Sequence, residues 1–154
     1  MAQESPIGRE KRGGRKSTMR KWQGPKELAI DLLPRSPCGE KVAAVLVDKK
    51  GLIFGWGWNH PVSGKNHDMG KHAEAHAVER TNPKRLEGAT IYVAGCRESN
   101  GVILNARPCD GHRTYRTRNT DSCLEMLKKR GIVRVVHTCR SPDSSKITWT
   151  SFDI

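Results

Sequence analysis

KVAAVLVDKKGLIFGWGWN, residues 41–59, is the stretch on which the fold turns. Two short apolar runs, Val42 to Val47 and Leu52 to Trp58, flank the polar turn Asp48-Lys49-Lys50-Gly51. Such runs around a turn ending in Gly read as a β-hairpin. Upstream, Glu27 to Leu33 carries Leu28 and Leu32 at helical spacing behind Pro25, and Pro34 and Pro37 end that helix. Downstream, Asn59 to Lys71 is rich in Gly, Pro, Asn and Ser and reads as a loop. His72 to Arg80 reads as a helix closed by Asn82-Pro83, and Ala89 to Ala94 as a third strand. Residues 97–122 read mostly as loop, with room for a short strand at Val102, Ile103 and Leu104. Cys123 to Arg130 is helical in pattern and stopped by Gly131. Ile132 to Thr138 makes a fourth strand, and the alternation within Lys146 to Phe152 supplies a fifth. This order predicts an α/β sandwich around a central mixed sheet.

A chain of 154 residues is enough for one domain with a real core. Its formal net charge is +12, and part of that excess sits in residues 1–24. There Arg9, Lys11, Arg12, Arg15, Lys16, Arg20 and Lys21 oppose only Glu4 and Glu10. A segment so basic and so poor in large apolar residues cannot bury enough surface to fold alone. It reads as a disordered arm before a domain spanning 25–154. The charge suits nucleic acid or a small phosphorylated substrate, and equally a surface tuned for solubility. Five cysteines do not resemble a secreted disulfide framework. No stretch suits a signal peptide or a membrane span, so a soluble, cytoplasmic protein without a membrane partner is expected.

Chemistry concentrates in three places. His72-Ala73-Glu74 lies where a loop becomes a helix, Pro108-Cys109 opens a long loop, and Cys123 again stands at a helix start. One imidazole and two thiolates make a three-ligand zinc set that leaves a fourth position for water. Helix N-termini favour thiolate over thiol, which eases metal binding. Glu74, two residues from His72, is placed to work as base and then acid while zinc-bound hydroxide serves as nucleophile. The arrangement H-x-E…P-C-x-x-C is the signature of zinc nucleobase deaminases.

The resemblance runs further. From about Glu40 to Thr138 the chain resembles the zinc-dependent cytidine/deoxycytidylate deaminase family. KVAAVLVDKKGLIFGWGWN, KHAEAHAVER, GATIYVA and CLEMLKKRGIVRVVHT arrive in that family's order. GWGWNHPVSG…HAE is also similar to the matching part of bacterial tRNA adenosine deaminases. The resemblance implies a three-layer sandwich with a five-stranded sheet, zinc between two helix starts, and Glu74 as proton shuttle. It further implies that Asn59 contacts the substrate's sugar and that Ala44 and Ala73 let the backbone approach the base. Asn59 serves equally as a turn residue, and both alanines equally as core. Homo-oligomers are common in such families.

One feature departs from the family pattern. The two cysteines are normally spaced C-x-x-C, whereas Asp110 to Ser122 separates Cys109 from Cys123. Thr120 occupies the ungapped place of the first cysteine, so the segment reads as an insertion. Loop closure grows costlier only logarithmically with length, so both ligands remain feasible. His112, three residues after Cys109, is a rival for the third ligand place, or one member of a second metal site with His67 and Asp110. The insertion brings Arg113, Tyr115, Arg116 and Arg118, basic groups with an aromatic, suited to a phosphate or a stacked base. Trp56 and Trp58 share a strand face as core, dimer surface or stacking platform, and His76 is a helix-surface or supporting residue. The leading expectation is hydrolytic deamination of a dCMP-like nucleotide or nucleoside, with Arg113 and Arg116 on its phosphate. The alternatives are a base within single-stranded DNA or tRNA, and a catalytically inactive zinc-stabilised nucleic-acid-binding module.

Overall fold

Strand β1 (Glu40–Val47) is buried on both faces over most of its length, and the rest of the domain is arranged to cover it. Ala44 and Leu46 point to one side, while Ala43 and Val45 point to the other. A strand apolar on both faces belongs in the middle of a layered sheet. It pairs antiparallel with β2 (Ile53–Trp58) on one edge and with β3 (Thr90–Arg97) on the other. β3 continues parallel to β4 (Arg134–Thr138), which pairs antiparallel with β5 (Trp149–Asp153). The sheet is mixed, five-stranded, and ordered β2-β1-β3-β4-β5. This computed structural model describes residues 24–61, 70–110 and 122–154.

Helix α1 (Pro25–Leu32) packs Ala29 and Leu32 against Ala43, Val45 and Ala94 on one face. Helices α2 (Ala73–Glu79) and α3 (Cys123–Lys129) cover the other through Ala77, Val78 and Leu127. The expected three-layer α/β architecture is therefore present. α1 ends at Leu32, just before Pro34, as expected, but the chain turns on for three more residues. Pro34 sits early in a 3-10 turn (Leu33–Arg35), where a missing N–H leaves no bond unmade. The short strand expected near Ile103 is only a bridge, to Cys96 and Ser141. No helix among the described residues is long and apolar enough to cross a membrane. Residues 1–23, including the basic arm, lie outside the described residues.

Two local devices hold the hairpin and its helix. Asp48 Oδ1 accepts the amides of Lys50 and Leu52, each at 3.0 Å, and closes the β1–β2 turn. Its Oδ2 accepts from the Arg85 guanidinium beyond α2. Gly57 lies under α2 so closely that a Cβ would stand 2.5 Å from the Ala77 nitrogen. His76 Nδ1 accepts the Trp58 amide at 3.1 Å and fixes the same contact from the helix side.

Gly57→Ala should destabilise the domain by about 1–3 kcal/mol through overpacking, measured by chemical denaturation. Gly39→Ala, where a Cβ meets nothing within 4 Å, should be close to neutral. Asp48 is held below its ordinary value first by its hydrogen bond to Arg85, then by the turn amides. A lowered folded-state value stabilises above the unfolded value and is lost as pH falls through the folded one. The Tm difference between wild type and Asp48→Asn should be full at neutral pH and shrink below about pH 4.

Candidate metal and active site

His72 is the N-cap of α2, reached from β2 through a long loop whose ends are tied together. His60 and Lys71 bridge as an antiparallel pair, with N···O distances of 3.1 and 2.8 Å. That bridge delivers His72 to the sheet at the end of β2. Cys123 is the first residue of α3, which begins with a reciprocal cap. Ser122 Oγ accepts the Glu125 amide and Glu125 Oε1 accepts the Ser122 amide, each at 3.1 Å. At its far end, Gly131 takes φ +92°, and the Ile132 amide reaches back to the Leu127 carbonyl at 3.1 Å. Only glycine adopts that conformation without strain, which is why α3 stops there.

Cys109 comes from no regular element. The Leu104 amide bonds Gly95, Thr138 Oγ1 donates to the Leu104 carbonyl, and the Ala106 amide bonds Thr138. The chain is thereby anchored along the ends of β3 and β4 before Pro108-Cys109. The Cys109 carbonyl then accepts the Leu124 amide at 3.0 Å, and its Sγ accepts the Cys123 amide at 3.3 Å. The residues flanking the thirteen that separate the two cysteines are thus bonded to each other.

The nitrogen of His72 and the sulfurs of Cys109 and Cys123 lie within 4.8 Å of one another. His72 Nδ1 stands 3.0 Å from Cys123 Sγ. Tetrahedral zinc, with bonds of about 2.0–2.3 Å, needs donors roughly 3.3–3.8 Å apart. The donor set and spacing fit zinc after small rotations of the side chains. The Cys109 thiol is drawn far below its ordinary value, first by hydrogen bonding from Cys123, then by His72. That direction favours the thiolate, the form that binds metal.

Glu74 is only 5% exposed and sits in the first turn of α2, next to this cluster. Burial pushes its carboxyl up, its own backbone amide and His72 pull it down, and Cys109 adds a further push upward. Beside the cluster opens a cleft of about 500 Å³, lined among others by Pro37, Cys38, Asn59, His60, Lys71 and His72.

Asn59 lines this cleft, but much of its side chain serves the fold. Its Oδ1 accepts from Ser36 Oγ at 2.6 Å and the Val42 amide at 2.9 Å, while Nδ2 donates to the Glu40 carbonyl at 2.9 Å. Ala44 on β1 and Ala73, the first residue of α2, are both fully buried in the core between sheet and helix. His76 is bonded to β2 and lies edge-on to Trp58 and His60. Trp58 packs toward the α1 face, and Trp56 is 41% exposed. Arg113, Arg116, His112, Tyr115, Arg118 and His67 lie outside the described residues. Sequence reasoning missed Cys38, His60 and Lys71 as cleft walls. Their one available signal was proximity to Asn59 and His72 along the chain, since the wall forms where loops meet.

Zinc-loaded protein freed of excess metal should hold one ion per chain by elemental analysis. Cys109→Ala and Cys123→Ala should each abolish that stoichiometry, and His112→Ala should leave it unchanged. Zinc retained in Cys123→Ala would transfer the third ligand role to His112.

No curated protein matches this chain. A crystal structure of cytidine deaminase from Burkholderia pseudomallei is similar at a TM-score of 0.49 and 16% identity, over 82% of this chain and 89% of that one. Residues 23–139 match the cytidine and deoxycytidylate deaminase zinc-binding region. That span contains all three donors and Glu74, and on it the chain belongs to the cytidine and deoxycytidylate deaminase family.

Proposed function

We propose that this protein removes the exocyclic amino group from a nucleobase by hydrolysis, acting on cytosine in a dCMP-like nucleotide or nucleoside. The observation that carries the reading is the burial of Glu74 beside three metal donors, one of which, His72, lines a cleft. A buried carboxyl group is costly to keep. A purely structural metal site has no use for one that is not a ligand, which weighs against an inactive binding module.

His72, Cys109 and Cys123 would hold zinc, which when bound would make water acidic enough to attack near neutral pH. Glu74 does the proton work. Burial pushes its carboxyl up from the ordinary carboxylate range, in the direction that suits a group acting as base and then acid. It takes a proton from the attacking water and places it on the ring nitrogen beside the amino-bearing carbon. That carbon becomes electrophilic and the C–O bond forms; Glu74 then takes the second proton of the water, from the new C–OH group, and delivers it to the amino group as the C–N bond breaks and ammonia departs. Water and the aminated base are consumed; ammonia and the oxo base leave.

The cleft supplies the rest of the reading. Its volume falls within the range of small-molecule sites. The second amide hydrogen of Asn59 has no partner among the described residues and is suited to a sugar hydroxyl. Ala73, with no side chain beyond Cβ, lets the α2 backbone stand near the base, and Ala44 keeps the layer below it thin. Arg113 and Arg116 are assigned to the phosphate.

Glu74→Gln should lower ammonia release by about 10²–10⁴-fold while one zinc per chain is kept. Ammonia assayed with dCMP, cytidine, short single-stranded DNA and tRNA identifies the substrate class. Turnover in Glu74→Gln equal to wild type would overturn the mechanism. Release from DNA or tRNA, but from neither free substrate, would overturn the assignment of a free nucleotide.

A further inference from the structure

The three layers are unequal, and the inequality leaves part of the sheet open. α2 and α3 cover one face, but α1 packs over β1, β2 and β3 and leaves the β4–β5 end of its own face open. A second cleft of about 320 Å³ lies there, on the opposite side of the sheet from the metal donors. Tyr92 and Trp149, both half-buried, form its aromatic part. Lys26 on the first turn of α1 and Arg134 on β4 supply exposed positive charge. Thr150 and Ser151 line it with hydroxyl groups.

We propose that this sheet face binds single-stranded nucleic acid, with a base stacked on Trp149 or Tyr92 and phosphates held by Lys26 and Arg134. Neither cation has a carboxylate partner among the described residues. Arg134 Nη2 donates to Ser151 Oγ at 2.9 Å, and the Lys26 ammonium lies 5.8 Å from the centre of the Trp149 ring. A flexible lysine over an indole can turn aside to a phosphate when a base takes the ring face. The nearby acid Glu27 is turned to its own helix start, where it accepts the Gly24 amide at 3.1 Å. Asp153, level with Arg134 across the β4–β5 pair, is the one carboxylate facing this charge from the strands.

Aromatic side chains on an open sheet, flanked by cations, are the recurring solution for sequence-tolerant binding of a strand. Charge chooses a strand over a free nucleotide. The chain carries +12, and the basic residues from Arg9 to Lys21 precede α1 directly in sequence. Only a polyanion engages that many cations at once. Because the cleft and the metal donors lie on opposite faces, occupation of one leaves the other open.

The test is fluorescence anisotropy of the full chain with a labelled short oligothymidylate at two salt concentrations, competed with dTMP and with duplex DNA. Lys26→Glu/Arg134→Glu should weaken binding at least tenfold and flatten its salt dependence. Trp149→Ala should weaken it about 5–150-fold, with folding checked by circular dichroism. Glu74→Gln should bind the strand as wild type does, which separates this surface from the catalytic centre. Wild-type affinity in the charge-reversed variant would overturn the proposal, whether or not deleting residues 1–23 abolishes binding. Equal affinity for dTMP and the oligomer would also overturn it, in favour of a free-nucleotide site.

Discussion

Helix α2 lies almost in backbone contact with strand β2, and the position of the candidate metal site follows from that approach. Gly55 and Gly57 leave room for it: a side chain at either would strike Thr81 or the Ala77 backbone. His76 then bonds the Trp58 amide, and the His60–Lys71 bridge closes the preceding loop. With the helix held this way, its N-cap His72 and buried Glu74 have little freedom. A shift of an ångström or so in α2 would separate His72 from the sulfurs, and such displacements are what catalytic sites tolerate least.

The sulfur half of the site is held differently. Cys109 is positioned by backbone bonds to the ends of β3 and β4, and Cys123 by the capped start of α3. The bonds between Cys109 and residues 123 and 124 explain why a long insertion is compatible with a metal site. The loop leaves and returns at one point, so its length costs only closure entropy. Electrostatics sharpens the result. The hydrogen bonds from Cys123 and His72 draw the Cys109 thiol down, while burial pushes the neighbouring Glu74 carboxyl up. Perturbed acidities gathered at one place are a feature that functional sites share.

The opposite face of the sheet follows another rule. One short helix cannot cover five strands, so β4 and β5 present Trp149, Arg134 and their hydroxyl neighbours to solvent beside Lys26. Polar and cationic residues at those strand positions make the exposure tolerable.

The sequence alone determined the layer order, because two short apolar runs around Asp48-Lys49-Lys50-Gly51 and two helices with Gly or Pro stops have few ways to pack. The donor set His72, Cys109 and Cys123 was legible because metal chemistry restricts residue types and helix starts are readable from local signals. Tertiary structure decided what depends on distant segments meeting. It bound Asn59 to Ser36 and Glu40, made Cys38 and His60 walls of a cleft, and turned His76 from a helix-surface residue into the pin between α2 and β2. It also left the aromatic face of β5 uncovered. Periodicity along a chain reports which side of an element is buried, but the layer or loop that lies against it is set by packing between elements far apart in sequence.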